Sequence, residues 1–495
     1  MKFKKIKILA LLMAFNLVAC NIDTVDQSAL SPTLALNNIA GVQSAVLSTY
    51  RRVWEFNLYG QQINIHGDAF ADNVEIVNRT GRYEQENING IGVYANRWGQ
   101  TGFGEGCYGI VKDANYVLAY LPKLNLANVP STATVTSQNV IDHLAGEAKF
   151  LRALAIFELL RVYSYEPGKE IGGFNLGVVL RDKPTLAVSD IDPKPRSTNL
   201  ECYQFIEKDL QDAIAGLVPS ANLGGWPSSL GTITFPYRAT KAAAAALLAR
   251  VYLYWGRYAD ADAQATAALG FLTVSAPVTS ANYVASWSAT PHTESIFELE
   301  IRASDFSGVD GANNSMNSIT TNLLSGSQYC VAASAELIAA HESGDVRRNL
   351  YVTSAATSNK PQVRKWPAEK GAFVENIPVI RRAEMYLIQA ESRARVGGND
   401  AGAQTAINTL RTNRGLAATA LTGQALIDLI MNERRVELAF EGHRFFDLKR
   451  LGLPITKNAA TSVATIPAND FRILQQIPVD QILLSNGVLK QNPGY

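Results

Sequence analysis

Apolar residues recur every three or four positions along most of this chain, which is the spacing of an amphipathic helix. Thr198 and Glu201, three residues apart, also have the spacing of a capping box at a helix start. The pattern predicts four helix pairs, namely residues 36–56 with 108–121, 146–163 with 198–217, 240–269, and 383–411. We therefore predict a mainly α-helical fold.

The segment Thr240–Leu269 fits the spacing of a tetratricopeptide repeat, in which two helices pack as a hairpin. Leu248 and Tyr252 take large positions of its first helix, and Gly256 falls in the turn. The repeat's leading tryptophan and glycine are absent, so this unit is degenerate. We predict a tetratricopeptide-like superhelix of helix pairs (an α–α superhelix) that forms one domain over residues 33–495.

Long irregular stretches separate the predicted helices. We call them the first, second, third and fourth insertions, and they cover about residues 57–106, 167–195, 222–237 and 271–375. The fourth contains Glu294–Glu300, whose alternation is typical of a β-strand. Because insertions in a repeat protein extend from one face, where such proteins usually bind, these partly β segments are predicted to form the ligand face.

The N-terminus has a different pattern, in which four lysines precede a short apolar run, Ile8–Phe15. This arrangement is typical of a secretory signal, and the run is too short to span a bilayer. The sequence from Leu17 to Cys20 resembles the bacterial lipobox, which implies removal of a signal peptide, residues 1–19, and acylation of Cys20. Residues 20–32 then form a lipidated tether. An ordinary secretory signal with a chance cysteine is the alternative.

Charge and cysteine content narrow the function classes. Without the four signal lysines the chain carries 41 basic against 44 acidic residues, which gives no indication of a nucleic-acid partner. A hydrophobic content of 47% allows a large core. Cys107, Cys202 and Cys330 do not have the spacing of a disulfide framework or a zinc site; one bridge or three buried thiols would fit them.

Leu426–Leu451 is dense in charged residues. Its apolar stripe places Glu433 between Leu426 and Phe440, so a carboxylate points at the core and needs an arginine partner. Gly442 is the predicted end of this helix. The segment supplies possible partners in Arg434, Arg435, Arg444 and Arg450.

The three glutamates of this segment, Glu433, Glu437 and Glu441, have two interpretations. They could be an acid/base cluster, or they could form a buried ion-pair network that locks two helices. Glycosidase carboxylates lie across a cleft from each other, whereas these share one helix beside several arginines, which favours the network.

Several motifs resemble those of the SusD/RagB family of surface lipoproteins, in the family's order. Tyr108, Val111 and Asn115 resemble an early helix motif, and the segments 146–153, 241–255 and 381–391 resemble three later ones. The segment 433–444 is the most specific match, and residues 491–495 are similar to the family ending. One departure is that Gly104 stands where a tryptophan is common; Trp98 or Phe103 could take its role.

This resemblance implies a non-catalytic binder, lipid-anchored at the outer membrane on the face turned to the cell surface. It implies that the helix-pair scaffold packs on a SusC-like TonB-dependent outer-membrane transporter. The implied ligand is an oligosaccharide, and a peptide is the alternative within the family.

A glycan site needs exposed aromatic platforms with amide groups beside them, because sugar rings present flat C–H faces edged by hydroxyls. The insertions supply candidate ligand-binding aromatics, and for any one tryptophan ordinary packing is the alternative. The predicted ligand-binding group is Tyr83, Tyr94, Trp98, Trp226 and Trp287, with Asn313, Asn314, Asn317 and Gln328 as polar candidates.

His66, Asp68, Asp72 and Glu75 could be a cation site or a hydrogen-bonded turn. The histidines are far apart in sequence and no catalytic motif is present, so we predict no metal, no cofactor and no catalytic residue. Two other functions stay open: a lipid-anchored glycoside hydrolase that uses Asp68 and Asp72, and a scaffold that binds only proteins.

Overall fold

The computed structural model describes residues 31–77, 81–88, 98, 102–186, 190, 192–305, 308–353, 359–457, 461, 463 and 465–495. The predicted signal peptide, Cys20 and most of the tether therefore lie outside the described residues. Within the described ranges, no helix combines the length and the apolar composition that crossing a membrane requires.

Eight helices form the scaffold that the periodicity predicts. They are α1 (Ile39–Val53), α2 (Phe103–Tyr120), α3 (Ser137–Tyr163), α4 (Asn199–Gly216), α5 (Lys241–Trp255), α6 (Tyr258–Gly270), α7 (Arg382–Val396) and α8 (Asp400–Thr412). Helix α1 packs on α2, α3 on α4, α5 on α6, and α7 on α8. Each pair contacts the next through α2 and α3, α4 and α5, and α6 and α7. The four predicted helix pairs are confirmed, and they stack in chain order.

Local sequence explains several helix ends. The capping box is confirmed, because the Thr198 hydroxyl accepts a hydrogen bond from the Glu201 N–H and the Glu201 carboxylate accepts one from the Thr198 N–H. Gly256, with a φ of 75°, ends α5 in the left-handed conformation. A second capping box, at Thr136 and Asn139, starts α3 earlier than the predicted residue 146.

Three further helices follow the scaffold: α9 (Gly423–Glu437), α10 (Arg444–Arg450) and α11 (Val479–Leu484). Helix α9 ends before Gly442, so the predicted end was wrong. Gly442 instead allows a close approach of two backbones, since a Cβ on Gly442 would lie 2.6 Å from the Ile63 carbonyl oxygen. Shorter helices occupy Pro32–Ala35, Gln62–Ala69, Glu84–Asn87, Tyr283–Ser286, Gly308–Asn314, Met316–Thr320 and Ala335–Ala339.

The strands form small antiparallel pairs that connect distant parts of the chain. The pairs are β1 (Val74–Ile76) with β3 (Val331–Ala333), β2 (Ser295–Leu299) with β6 (Ile377–Arg381), β4 (Tyr351–Val352) with β5 (Gln362–Val363), and β7 (Ile455–Thr456) with β8 (Thr465–Ile466). The predicted strand in the fourth insertion is confirmed as β2. The β1–β3 pair joins the first insertion to the fourth.

A large apolar core runs through most of the chain, and a smaller cluster fills the space between α7, α8 and α9. Cys107, Cys202 and Cys330 are buried and form no disulfide with one another, which confirms the alternative of three buried thiols. Because a buried thiol behaves as a small apolar group, these residues contribute to packing.

Candidate functional site

The carboxylates of Glu433, Glu437 and Glu441 are buried and ion-paired, which confirms the network interpretation. Arg381 Nη1 lies 2.9 Å from Glu437 Oε1, and Arg381 Nη2 lies 2.7 Å from Glu441 Oε1. Arg347 Nη2 lies 2.7 Å from Glu433 Oε2. The expected arginine partners are therefore present, but they come from β6, the fourth insertion and α8 and not from the segment itself.

The pKa values of this network are those of structural ion pairs. Burial by itself raises the pKa of Glu437, but Arg414 and Arg381 outweigh it and hold that pKa well below its usual range. The same balance, with Arg381 and Lys365 as partners, lowers the pKa of Glu441. A general acid at neutral pH needs a raised pKa, so these carboxylates are suited to stability and not to acid catalysis.

Asp68 and Asp72, for which a cation site was one of two alternatives, form hydrogen bonds and an ion pair within the protein. Asp68 accepts from Asn73 Nδ2 at 2.6 Å and from the Phe440 N–H at 2.9 Å. Arg444 Nε lies 2.7 Å from an oxygen of Asp72. Both aspartates are buried, so neither offers a free carboxylate to a cation or a glycosidic bond. Among the described residues, no group of three His, Cys, Asp or Glu side chains is placed to hold a metal.

Trp98 and Tyr83 lie inside the protein and not on its surface. Trp98 is 1% exposed, and its ring centroid lies 4.5 Å from that of His66 and 4.6 Å from that of Phe103. Tyr83 is 3% exposed and donates a hydrogen bond to Gln61 Oε1. The prediction that these rings are exposed platforms is wrong, because folding gains more from burying them against other aromatic rings.

Trp226 and Trp287 are also packing residues in this structure. Both rings are buried. The Trp226 ring centroid lies 4.9 Å from that of His143, and the Trp287 ring centroid lies 4.5 Å from that of His292. The prediction of exposed platforms is wrong for these two as well. Tyr94 lies outside the described residues, and its role stays a prediction.

Among the described residues, the two most exposed aromatic rings are phenylalanines. Phe235, in the third insertion, is 42% exposed, and Phe271, at the start of the fourth, is 43% exposed. No tyrosine or tryptophan within the described ranges reaches that exposure. The sequence analysis did not single out either ring, because only long-range packing distinguishes an exposed loop aromatic from a buried one.

The first and fourth insertions meet at a hydrogen-bonded polar cluster that we call the junction, formed by the buried Gln61 together with Arg82 and Asn313. Arg82 Nη2 donates to Gln61 Oε1 at 2.9 Å and to the Asn313 carbonyl at 2.8 Å. Gln61 Nε2 donates to the same carbonyl at 3.3 Å. Arg82 is half-buried and Asn313 is exposed, so the junction presents guanidinium and amide groups to solvent.

The other polar candidates differ in burial. Asn317 is fully buried, and its Nδ2 donates to the Trp366 carbonyl at 2.6 Å, so its prediction as a surface contact is wrong. Asn314 and Gln328 are half-buried. The fourth insertion therefore keeps only part of its predicted polar face at the surface.

A cavity of about 490 Å³ opens between the second insertion and the C-terminal segment. Its walls come from the start of α2, the end of α3, residues within 177–181 and 192–196, and residues within 477–489. Sites for small molecules typically have roughly 300–1,000 Å³, so the volume suits a ligand. The sequence analysis did not find this site, because its walls lie far apart in the chain.

Arg196 holds the two sides of the cavity together. Its guanidinium donates to the carbonyls of Gly177 at 2.7 Å and Tyr163 at 2.9 Å and to Asn492 Oδ1 at 2.7 Å. Within the described ranges no carboxylate forms an ion pair with it, and burial lowers the pKa of Arg196 to about 10. A buried guanidinium saturated by carbonyl oxygens acts as a rigid cross-link.

Tyr108 and Gly104 shape the α2 side of the cavity. The Tyr108 hydroxyl donates to the Val179 carbonyl and accepts from the Val179 N–H, both at 3.1 Å. No atom of the described residues lies within 4 Å of the position that a Cβ on Gly104 would take. Trp98 and Phe103, the suggested substitutes for the absent tryptophan, instead contact each other in the core.

Two family models match this chain. One, described as the SusD family, matches residues 352–495, and the other, described as starch-binding and associating with the outer membrane, matches residues 47–253. A curated relative, SusD-like protein P2 of Formosa agariphila, is 22% identical and aligns with 99% of this chain and 100% of its own length.

Solved structures share the fold over nearly the whole chain. A SusD superfamily protein of Bacteroides thetaiotaomicron has a TM-score of 0.77 at 25% identity, covering 92% of this chain and 100% of its own. A putative sugar-binding protein of Bacteroides vulgatus has a TM-score of 0.77 at 23% identity, and the match covers 93% of this chain and 99% of that protein. A laminarin-binding SusD-like protein has a TM-score of 0.68 at 22% identity, and the match covers 93% of this chain and 100% of that protein.

Proposed function

The chain belongs to the SusD/RagB family, and we propose that it is a non-catalytic binder of oligosaccharides at the outer membrane. We propose further that it delivers its ligand to a SusC-like TonB-dependent transporter. The observation that carries the proposal is the similarity of its fold, over 93% of the chain, to a laminarin-binding SusD-like protein.

The junction has suitable chemistry for a glycan. A guanidinium presents several N–H donors in a fixed plane, and an amide presents both donors and acceptors, so neighbouring sugar hydroxyls can pair with them. Arg82 and Asn313 bring these groups to solvent from two different insertions. In this proposal Tyr83 does not contact the glycan. Its hydroxyl donates a hydrogen bond to Gln61 Oε1 and so positions that side chain.

Binding without chemistry is supported by the state of the acidic side chains. The glutamates of α9 and its following turn are paired with arginines, and Asp72 is paired with Arg444. A hydrolase would need two carboxylates facing one glycosidic bond, roughly 5–9.5 Å apart. The carboxylates singled out from the sequence are bonded within the protein instead.

Isothermal titration with a panel of soluble polysaccharides that includes laminarin tests the proposal. We expect saturable binding of at least one glycan and no release of reducing ends. Arg82→Ala should weaken that binding about tenfold, which corresponds to the loss of a charged hydrogen bond. Arg257→Ala is a matched control, because this arginine lies on the scaffold and is ion-paired with Glu207. No heat with any glycan, or heat only with peptides, would overturn the proposal.

Delivery and anchoring need a separate test. Cys20→Ala in the full-length chain should move the protein from the membrane fraction to the soluble fraction, since a mature chain without acyl groups lacks its anchor. The wild-type protein should co-purify with an outer-membrane transporter from detergent extracts. A Cys20→Ala variant that stays in the membrane fraction would contradict lipid anchoring.

A further inference from the structure

The cavity beside the second insertion changes in character from its floor to its mouth. The residues of the floor are buried and mostly apolar, and they include Leu159, Val178 and Ile477. Arg196 is buried there as well, but its five N–H groups donate to five protein oxygens, so none is left for a ligand. A molecule that enters the cavity therefore meets an apolar surface at the bottom.

Tyr108 adds an aromatic ring to the wall of the cavity. The residue is half-buried, and its hydroxyl is held by two hydrogen bonds to the backbone of Val179, both at 3.1 Å. These bonds fix the tip of the side chain, so the ring presents one constant surface. Aromatic and aliphatic surfaces of this kind suit the flat C–H face of a sugar ring.

The mouth of the cavity carries polar side chains that have hydrogen-bonding groups to spare. Arg181 Nη2 donates to the Asp192 carbonyl at 2.7 Å, and no other hydrogen bond joins this guanidinium to a described residue. Gln481 is exposed, and its Nε2 donates to Asp480 Oδ2 at 3.2 Å. The exposed carboxylates of Glu105 and Asp192 also line the mouth. Donors and acceptors therefore stand together above the apolar floor.

Neither sign of charge dominates at the mouth. Arg181 and Lys194 are positive, and Glu105, Asp192 and Asp480 are negative. Charges of mixed sign in contact with water give an ion little net attraction. The same groups donate to or accept from neutral hydroxyls. This lining therefore favours an uncharged ligand that has hydroxyls along its edge and one apolar face.

We propose that this cavity is a second carbohydrate site, which binds part of a neutral oligosaccharide. The apolar face of a sugar ring packs on Tyr108 and the aliphatic floor, and its hydroxyls pair with Arg181 and Gln481 at the mouth. Leu484 lines the cavity and is 74% exposed, so the apolar surface continues outwards along the path by which a longer chain leaves.

The second site is separate from the junction and shares none of its three residues. Its volume of about 490 Å³ lies within the range of roughly 300–1,000 Å³ for small-molecule sites. The choice of a sugar as the ligand rests on the proposed function, whereas the place of the site rests on the cavity and its lining.

The first test blocks the cavity. Gly104 lines it from the first turn of α2 and has open space where a side chain would begin, so Gly104→Trp puts an indole in the site. Gly270→Trp is the matched control, because Gly270 is also helical, also has open space at its Cβ position, and does not line the cavity. Circular dichroism establishes that both variants are folded.

The probes are ¹⁴C-labelled laminaritriose, maltotriose, cellotriose and mannotriose, with labelled trialanine as the peptide probe. Equilibrium dialysis to saturation gives the number of molecules bound per protein. For at least one trisaccharide we expect two per wild-type protein, two for Gly270→Trp and one for Gly104→Trp. Equal numbers for the two tryptophan variants would overturn the inference. Trialanine bound in place of every trisaccharide, and lost in Gly104→Trp, would also overturn it and make the cavity a peptide site.

Arg82→Ala separates this inference from the proposed function. It should weaken one of the two trisaccharide sites, the junction, about tenfold and leave the cavity site unchanged. A single site that Gly104→Trp removes and Arg82→Ala does not affect would support the cavity and overturn the role of the junction. No trisaccharide bound by the wild type would overturn both.

The second test removes a hydrogen-bonding group and leaves the space open. In the Arg82→Ala background, Gln481→Ala should weaken the cavity site about three- to tenfold, the range of one hydrogen bond. Gln424→Ala is the matched control, since Gln424 is likewise exposed, likewise donates to an aspartate, Asp428, and does not line the cavity. Equal affinities of the two variants would reject the assigned pairing at the mouth and with it the proposal.

Discussion

The carboxylate of Glu437 and the hydroxyl of Tyr163 are both buried, but their surroundings differ. Arg381 and Arg414 each approach Glu437 to 2.9 Å, and Arg347 lies at 3.3 Å. The Tyr163 hydroxyl has almost no accessible surface and no hydrogen-bond partner among the described residues. The ion-pair network therefore pairs its charged groups within the protein, whereas the hydrogen-bonding capacity of the Tyr163 hydroxyl is left unused.

This difference separates stability from binding. The segment Leu426–Leu451 was singled out for its density of charged residues, but its glutamates are ion-paired with arginines inside the protein. These carboxylates are therefore not available to bind a ligand. The Tyr163 hydroxyl lies in an aliphatic wall that no motif indicated, and it keeps its hydrogen-bonding capacity. Four substitutions test this contrast, and their expected effects on the free energy of unfolding decrease in the order given.

Glu437→Gln should lower the free energy of unfolding by about 3–5 kcal/mol, because it removes one buried counter-charge from both Arg381 and Arg414. Urea unfolding measures the effect. Asp428→Asn is the control on the exposed face of the same helix, where a change within about 0.5 kcal/mol is expected. If the two variants were equally stable, the network would not be the structural lock described above.

Glu433→Gln should lower the free energy of unfolding by about 1.5–3 kcal/mol, because hydrogen bonds from Arg347 and Arg411 then reach a neutral group. Its glycan affinity, measured by titration on the folded variant, should stay within about twofold of the wild type. Lost affinity without lost stability would move Glu433 from the scaffold to the ligand site.

Glu375→Gln should raise the free energy of unfolding at pH 8 by about 1 kcal/mol. Burial raises the pKa of Glu375 to about 8, and although one of its oxygens accepts a hydrogen bond from the Asn317 N–H at 2.8 Å, no arginine pairs with it among the described residues. An acid with a raised folded-state pKa binds a proton that the unfolded chain has released. Its contribution to stability is therefore present below the unfolded pKa of about 4.3 and is lost as the pH rises towards 8.

Unfolding of wild type and Glu375→Gln across pH 5–8 measures this dependence. The wild type should lose stability more steeply with rising pH than the variant. Parallel curves would show that Glu375 is ionised in the folded protein, as Glu437 is.

Tyr163→Phe should change the free energy of unfolding by less than about 0.5 kcal/mol, or raise it slightly, because the hydroxyl it removes has no partner. Tyr83→Phe is the comparison. This variant loses the hydrogen bond to Gln61, so its free energy of unfolding should be lower than that of the wild type by about 1 kcal/mol. Thermal unfolding of both variants gives the difference. A loss as large for Tyr163→Phe as for Tyr83→Phe would show that the hydroxyl is bonded after all.

The helix pairs could be predicted because their signals are local. A helix repeats every 3.6 residues, so the apolar spacing of α5 and α6 and the capping box of Thr198 are visible within a few turns. The burial of Glu433 followed from the same periodicity. The arginine partners of Glu433 could not be predicted in this way. Arg347 and Arg411 lie on other elements, and only the fold brings them to Glu433.

The candidate sites were harder to predict, for a related reason. Trp98 and Trp287 stand among loop residues in the sequence, but the structure buries both rings. Composition does not distinguish a loop aromatic that packs inward from one that faces solvent. Phe235 is exposed and Trp226 is buried, although both lie in the third insertion directly before a proline.

The sequence by itself determined the helix periodicity, the order of the helix pairs, the positions of the insertions and the family motifs, because each of these depends on residues close together in the chain. Only the tertiary structure decided which polar groups are satisfied, because a hydrogen-bond partner can come from any part of the chain. Arg381 reaches Glu437 and Glu441 from β6, whereas nothing among the described residues reaches the Tyr163 hydroxyl. That contrast shows a group that the fold pairs with charges from distant elements beside a group that it buries without using.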